Sequence, residues 1–202
     1  DCGAAYIVID TENIDNSHSG YSSYNQDEFI DLICINSGLI NESGISIYIE
    51  NGYEYANESY RHNQFSDGRI LIELMNKLRS VCPDVNAGIC INIGHTNLLG
   101  INVRDMIRAC GSYIKLVHVS DNNGYNDQHQ MPYTFTTGRG EASTDWVHTI
   151  GMLYMSGYDG CYVFDNTGTW ERTPEKLHKS MLKLIYAIYQ EWKEECYKTE
   201  YY

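Results

Sequence analysis

Five short apolar runs in this sequence each carry a polar side chain at or just beyond their end. Asp10 follows Tyr6 to Ile9 (YIVI), Glu50 follows Ile45 to Ile49 (ISIYI), and Asn92 follows Ala87 to Ile91 (AGICI). His118 lies inside Ile114 to Val119 (IKLVHV), with Asp121 just beyond, and Asp165 follows Gly160 to Phe164 (GCYVF). Two facing carboxylates can remove and return a proton. Carboxylate, imidazole and amide oxygen together can hold a divalent cation. A lone Asp or Asn after a strand is usually a helix cap or a turn former. Such groups after successive runs are a much sharper signal, because parallel α/β folds place their chemistry at the C-terminal strand ends.

The elements that must position these groups are legible. The runs are rich in Ile and Val and apolar on both faces, as expected of parallel strands covered on both sides. Helical patterns alternate with them. Phe29, Leu32 and Ile33 share one face. Asp67 is placed to cap a helix with a stripe of Ile70, Leu71, Leu74, Met75 and Leu78, and Asn102 to cap the next. Thr144 is placed to cap a further helix, with Trp146, Ile150 and Leu153 facing inward. The last helix reads as capped by Thr173 with Pro174 at its first position, its stripe running through Leu177, Met181, Leu184, Ile185, Ile188 and Trp192. The alternation of strand and helix means an α/β fold with parallel strands and right-handed crossovers. Composition does not shift along residues 1–202, so the whole is expected to be a single domain.

The chain has 202 residues and a formal charge of −13, with no run of Lys or Arg. That speaks against a nucleic-acid partner, which is met by a basic stripe. No stretch has the roughly 18 apolar residues of a membrane span, so no membrane partner is expected. Seven cysteines, an odd number with no CxxC, read as reduced and mostly buried thiols and hence a cytoplasmic protein. The chain starts at Asp1 with a strand close behind it, which raises the expectation of a segment upstream or on another chain.

The ordered segments AGICINIGH (Ala87 to His95) and IKLVHVSDN (Ile114 to Asn122) come next, followed by Asp127-Gln128-His129 and Gly138-Arg139-Gly140. Thr144-Asp145-Trp146 and Gly157-Tyr158-Asp159-Gly160, leading into CYVFD, complete the series. Together they resemble the xylose-isomerase-like superfamily of sugar isomerases and epimerases, which also holds an apurinic endonuclease. The resemblance runs from about Ile45 to Asp165. It implies a (β/α)₈ TIM-type barrel, of which this chain supplies about five βα units, the fourth to eighth strands. Five units in 202 residues scale to roughly 300 for eight, within the usual range. The N-terminal units are then expected from elsewhere, with homo- or hetero-oligomers following from the open edges YIVI and CYVF.

The resemblance also implies a metal held by Glu, Asp, His and Glu, which fall here on Glu50, Asn92, His118 and Asp165. Asn92 gives up one negative charge, and Asp165 is one methylene shorter. The ion would be divalent, Mn, Mg, Co or Zn. Glu50 and Asp165 would work as the acid–base pair beside a substrate carbonyl, and His95 would bind a substrate hydroxyl or orient a ligand. His95, Asp127 and His129 match positions that hold further metals in the endonuclease branch, but Asp10 stands where that branch has a His. Asp127, His129, Arg139, Tyr53 and Trp170 are the expected substrate contacts. Tyr133 and Phe135 are expected beside them, and Asn122 to Thr144 reads as a covering loop. The expected function is a metal-dependent sugar isomerase or epimerase working by proton transfer next to a carbonyl. The alternatives are lyase-type cleavage of a keto-sugar C-glycoside and a metal-free, non-catalytic relative. A DNA-repair endonuclease is disfavoured.

Overall fold

A computed structural model describes residues 3–14, 25–135 and 144–199. Among these, the strands are β1 (Tyr6–Ile9), β2 (Asn13–Ile14), β3 (Ser46–Glu50), β4 (Glu54–Ala56), β5 (Ser59–Arg61), β6 (Ala87–Asn92), β7 (Ile114–Val119) and β8 (Cys161–Phe164). The helices are α1 (Gln26–Ile35), α2 (Ser37–Ser43), α3 (Gly68–Val81), α4 (Ile93–Leu98), α5 (Val103–Cys110), α6 (Trp146–Met155), α7 (Thr167–Arg172) and α8 (His178–Thr199). The five strands read from the apolar runs form one parallel sheet in the order β1-β3-β6-β7-β8. It curls as a half-barrel with helices, part of a TIM barrel. The expected outer strands, YIVI and CYVF, are the outer strands: β1 pairs with β3 and β8 with β7.

The pleat sends alternate side chains to opposite faces. Ile47, Ile49, Ile89, Ile91, Val117 and Val119 point to the helices and join the main core. There they meet Leu71, Leu74, Met75 and Leu78 of α3, Met106, Ile107 and Cys110 of α5, and Trp146, Ile150 and Leu153 of α6. Trp192 of α8 closes this layer, with its ring 5.6 Å from both Trp146 and Phe164. Asp67 and Asn102 cap α3 and α5 as expected, accepting from Arg69 N and Arg104 N.

Several expectations are corrected. Asp145, not Thr144, caps α6, because its carboxylate reaches both His148 N and the His148 ring. Thr173 closes α7, and α8 starts at His178 after a 3₁₀ turn at Glu175–Leu177. Leu32, Leu177 and Leu184 are about half exposed, so the buried stripes are narrower than read. A small second sheet, β2-β4-β5, pairs the segment after β1 with a hairpin that follows β3. Its hairpin turns at Asn57 and Glu58, both at positive φ. Asn-Glu is a poorer sequence signal for such a turn than Asn-Gly, so the hairpin was not visible in the sequence. Cys34 and Cys82 are joined in a disulfide between the end of α1 and the cap of α3. That corrects the expectation of free thiols throughout and removes the cysteine argument for a reducing compartment. No helix among the described residues is long and apolar enough to cross a membrane.

Candidate active site

The side chains opposite the core face the hollow of the curl. Val8 and Asp10 of β1 and its end, Glu50 of β3, Asn92 of β6, His118 of β7 and Asp165 after β8 line one cleft of about 410 Å³, with Glu12 and His129. Register explains the convergence: Asn92 pairs with His118, and His118 with Val163, two residues before Asp165. Glu50, Asn92, His118 and Asp165 are thus brought to one place.

Glu50 is buried, and its Oε1 is approached from two sides. Asn92 Nδ2 donates to it at 2.8 Å, and His118 Nδ1 lies 3.0 Å away. Asn92 Oδ1 caps α4, accepting from His95 N at 3.2 Å, and takes a longer contact of 3.4 Å from Ser120 Oγ. Asn51 extends the β3–β6 pairing with its side chain, accepting from Asn92 N at 2.6 Å and donating to Asn92 O at 3.1 Å. Gly94 is required here, since a Cβ would lie 2.2 Å from Ser120 Oγ. Its absence lets α4 start directly on the strand end and brings His95 underneath.

His95 begins a chain of alternating acids and imidazoles. It is buried, and its Nδ1 is 2.7 Å from Asn51 O, a carbonyl that can only accept, so Nδ1 carries a proton. Its Nε2 lies 2.9 Å from Glu12 and 3.7 Å from Asp127. Burial opposes the charged ring, but the hydrogen bond and charge of Glu12, with Glu50 and Asp127 nearby, outweigh it and raise the pKa to about 9. His129 bridges Asp127 at 3.1 Å and Asp165 at 2.9 Å, and these two hydrogen bonds raise its pKa to about 10. Burial would keep Asp127 protonated, but His129 and His95 hold its carboxyl below the ordinary range, and His129 does the same for Asp165. His129 has φ 46°, a conformation unusual for a side-chain-bearing residue. Its two ion pairs and the bond from Thr169 N to His129 O hold it there. Gly168 lets α7 close on this loop, where a Cβ would meet Gln128 O at 1.9 Å.

The remaining expected contacts divide. Tyr53 is not a rim aromatic: it is buried, its ring packed against His95 and Tyr60, and its hydroxyl donates to Asp127 at 3.1 Å. Trp170 is exposed on α7 and stacks on His178 at 3.9 Å, but it does not line the cleft. Tyr133 is exposed at φ 68°, its hydroxyl accepting from Trp192 Nε1 at 2.7 Å. Arg139 lies outside the described residues. Glu12 was missed by sequence reasoning. The signal was a second carboxylate two residues after Asp10, on a segment with no apolar pattern to orient it. Asp121, just beyond β7, is fully buried and accepts from Asn122 N and Phe135 N, pinning the start of the segment that follows.

Among the described residues, two groups offer donors close enough for a metal ion: Glu50, Cys90 and His118, and Glu12, His95 and Asp127. In the second, Asp127 Oδ1 is buried without a partner among the described residues. In the first, burial pushes the Cys90 thiol up, so it stays protonated and is a poor ligand. The four-ligand centre implied by the resemblance fits poorly. Asn92 turns a donor, not an oxygen, toward Glu50, and Asp165 is engaged by His129.

The chain matches the family model for the xylose isomerase-like TIM barrel over residues 1–188. An uncharacterised protein of Methanocaldococcus jannaschii is 29% identical over 103 residues, 50% of this chain and 33% of that protein. A solved D-tagatose 3-epimerase-like protein superposes with a TM-score of 0.64 at 22% identity, covering 96% of this chain and 64% of that one. A D-allulose 3-epimerase from Methylomonas sp., in complex with D-allulose, gives a TM-score of 0.51 at 16% identity, over 72% of this chain and 44% of that one. The 3-keto-D-glucoside 4-epimerase of E. coli gives 0.50 at 13%, over 71% and 48%. These likenesses show the fold, and the chain spans less than two thirds of each of these proteins.

Proposed function

We propose, from the premise that this chain belongs to the xylose isomerase-like TIM-barrel family, that it carries the proton-transfer half of a sugar epimerase or isomerase. The observation that carries this reading is the single cleft in which the carboxylates Glu50 and Asp165 stand on β3 and beyond β8, with His118 and His129 between. A carboxylate on one side removes the proton next to a sugar carbonyl, and one on the other side returns it. The positive charge of His129, in the same cleft, favours an oxygen that gains charge. The cleft volume falls within the range of small-molecule sites. Among its described lining residues there are four carboxylates and neither Lys nor Arg, which favours an uncharged sugar over a sugar phosphate. The structural neighbours, a D-tagatose 3-epimerase-like protein, a D-allulose 3-epimerase and a 3-keto-D-glucoside 4-epimerase, agree with that substrate class. Asn92 turns its N–H rather than its oxygen toward Glu50, so the proton transfer is assigned to the side chains of the cleft themselves. For the C-glycoside lyase reading, Tyr53 is buried and not available to an aryl group, whereas Tyr133 and Trp170 are exposed.

The outer strands β1 and β8 are the places where further βα units would pair to close the barrel. We include that completion in the proposal, whether those units lie upstream or on another chain. The function is tested by incubating the protein with free ketoses in D₂O and following the sugar by NMR. Deuterium entering beside the carbonyl, with a new epimer or isomer, is expected, and its loss in Glu50→Gln. Exchange that persists at the wild-type rate in that variant would remove Glu50 from the reaction.

A further inference from the structure

We propose that the Asn92 carboxamide takes the place of a cation as the partner of Glu50, so that the strand-end centre is complete without a divalent metal. The orientation of the amide carries the argument. Asn92 Oδ1 faces His95 N, which only donates, and Nδ2 faces Glu50 Oε1 at 2.8 Å. Nδ2 also lies 3.0 Å from His95 Nε2, whose proton is held by Glu12 at 2.9 Å, so reversing the amide would replace a donor–donor contact by an attractive one. The same reversal would set an oxygen against the Glu50 carboxylate and an NH₂ against a backbone N–H. Two repulsions outweigh one gain, so the orientation is fixed by chemistry.

An aspartate in the same rotamer shows what the asparagine does. One oxygen would still cap α4 through His95 N. The other would lie where Nδ2 is, 2.8 Å from Glu50 Oε1. Two carboxylate oxygens at that distance in a buried place repel strongly and need a cation or a proton between them. Asparagine removes that demand and supplies an N–H in its stead. The second approach to Glu50 Oε1 is filled by His118 Nδ1 at 3.0 Å. On the far side, His129 occupies Asp165 at 2.9 Å. Each expected ligand of the centre thus already has a partner from the protein. The inference concerns cation binding and stands or falls apart from the proton-transfer reading.

The test is Mn²⁺ binding to the full chain after chelator treatment, followed by equilibrium dialysis and by thermal unfolding with and without Mn²⁺. Wild type is expected to bind no Mn²⁺ that depends on Glu50, and its unfolding at this centre is expected to be indifferent to the ion. Asn92→Asp is expected to be less stable than wild type in chelator. It should regain stability with Mn²⁺ and bind one ion at least tenfold more tightly. Glu50→Gln added to Asn92→Asp should abolish that gain. Wild-type Mn²⁺ binding of one ion per chain that is lost in Glu50→Gln would overturn the proposal, and this arm holds even if Asn92→Asp does not fold. So would an Asn92→Asp protein that folds and binds no more tightly than wild type. Mn²⁺ binding that survives Glu50→Gln and is lost in Asp127→Asn belongs to the other cluster and leaves the proposal standing.

Discussion

The two faces of the five-stranded sheet differ in kind although the same strands build both. On the helix-covered face of β3, Ile47 and Ile49 are buried among Leu71, Leu74 and Met75. On the hollow face of the same strand, Tyr48 is only half-buried, stacked on Tyr6 at 5.1 Å, and the strand ends in Glu50. The contrast continues on β8, where Phe164 packs on Trp192 while Cys161 is exposed. One face is a finished apolar core. The other is a polar site above a surface finished only in the middle, where Cys90 and Leu116 are buried. Stability therefore resides on one side of the sheet and chemistry on the other, and substitutions on the two sides have different readouts.

The largest expected effect is on the hollow side. Glu50→Gln should lower turnover by about 10³-fold, the scale of a lost general acid–base group, with little change in unfolding temperature. A comparable loss of stability would place Glu50 in the structural half of the comparison. Next is Ile49→Ala on the helix side, which opens a cavity in the core and should cost about 3–4 kcal/mol in denaturant unfolding. A cost below 1 kcal/mol would mean that this face is loosely packed.

The cross-link belongs to the same stable side. Cys34 and Cys82 close a loop of 48 residues. Replacing both by Ser should cost about 3 kcal/mol, and reductant should lower wild-type stability by a similar amount while leaving the double variant unchanged. Equal stability of wild type with and without reductant would show that the bond does not form.

Asp121 gives a pH-dependent test at the boundary of the two faces. Burial raises its carboxyl to about 6, against the lowering effect of Phe135 N and Asn122 N. The folded protein thus keeps a proton that the unfolded chain releases near 3.8. The stability this contributes is fully present below that value and is lost as pH rises through about 6, up to about 3 kcal/mol in all. Asp121→Asn should flatten that part of the pH profile relative to wild type, and an unchanged difference between pH 4 and pH 7 would contradict it. The smallest effect is expected for Val163→Thr, half-buried on the hollow face of β8. Stability should change by less than about 1 kcal/mol. A loss equal to that of Ile49→Ala would mean the hollow is already a packed core.

Much of the architecture was legible because it rests on local pattern. Ile-rich runs and periodic stripes identified the five main strands and the helices that pack on them. Asp67 and Asn102 cap their helices as their positions before the apolar stripes predict. The errors fall where neighbours decide. Asp145 displaces Thr144 because its carboxylate also reaches the His148 ring, and Leu184 is exposed because α8 has no partner on that flank among the described residues. Tyr53 looked like a rim aromatic because it follows a strand end, but the β4–β5 hairpin folds it beneath Tyr60 and against His95.

Sequence alone determined which residues stand at the strand ends and that the outer strands are YIVI and CYVF. The first follows from the ends of the apolar runs, and the second from the resemblance to a barrel in which successive strands are neighbours. It also placed Glu50, Asn92, His118 and Asp165 at one end of one sheet. Tertiary structure decided what those residues do to one another. Glu12 meets His95, His129 bridges Asp127 and Asp165, and Asn92 offers Glu50 an N–H rather than an oxygen. None of these is local. A side chain's direction along a strand is set by its own backbone, whereas its hydrogen-bond partner is set by which distant segment arrives within about 3 Å. That distance is fixed only when the whole sheet has closed.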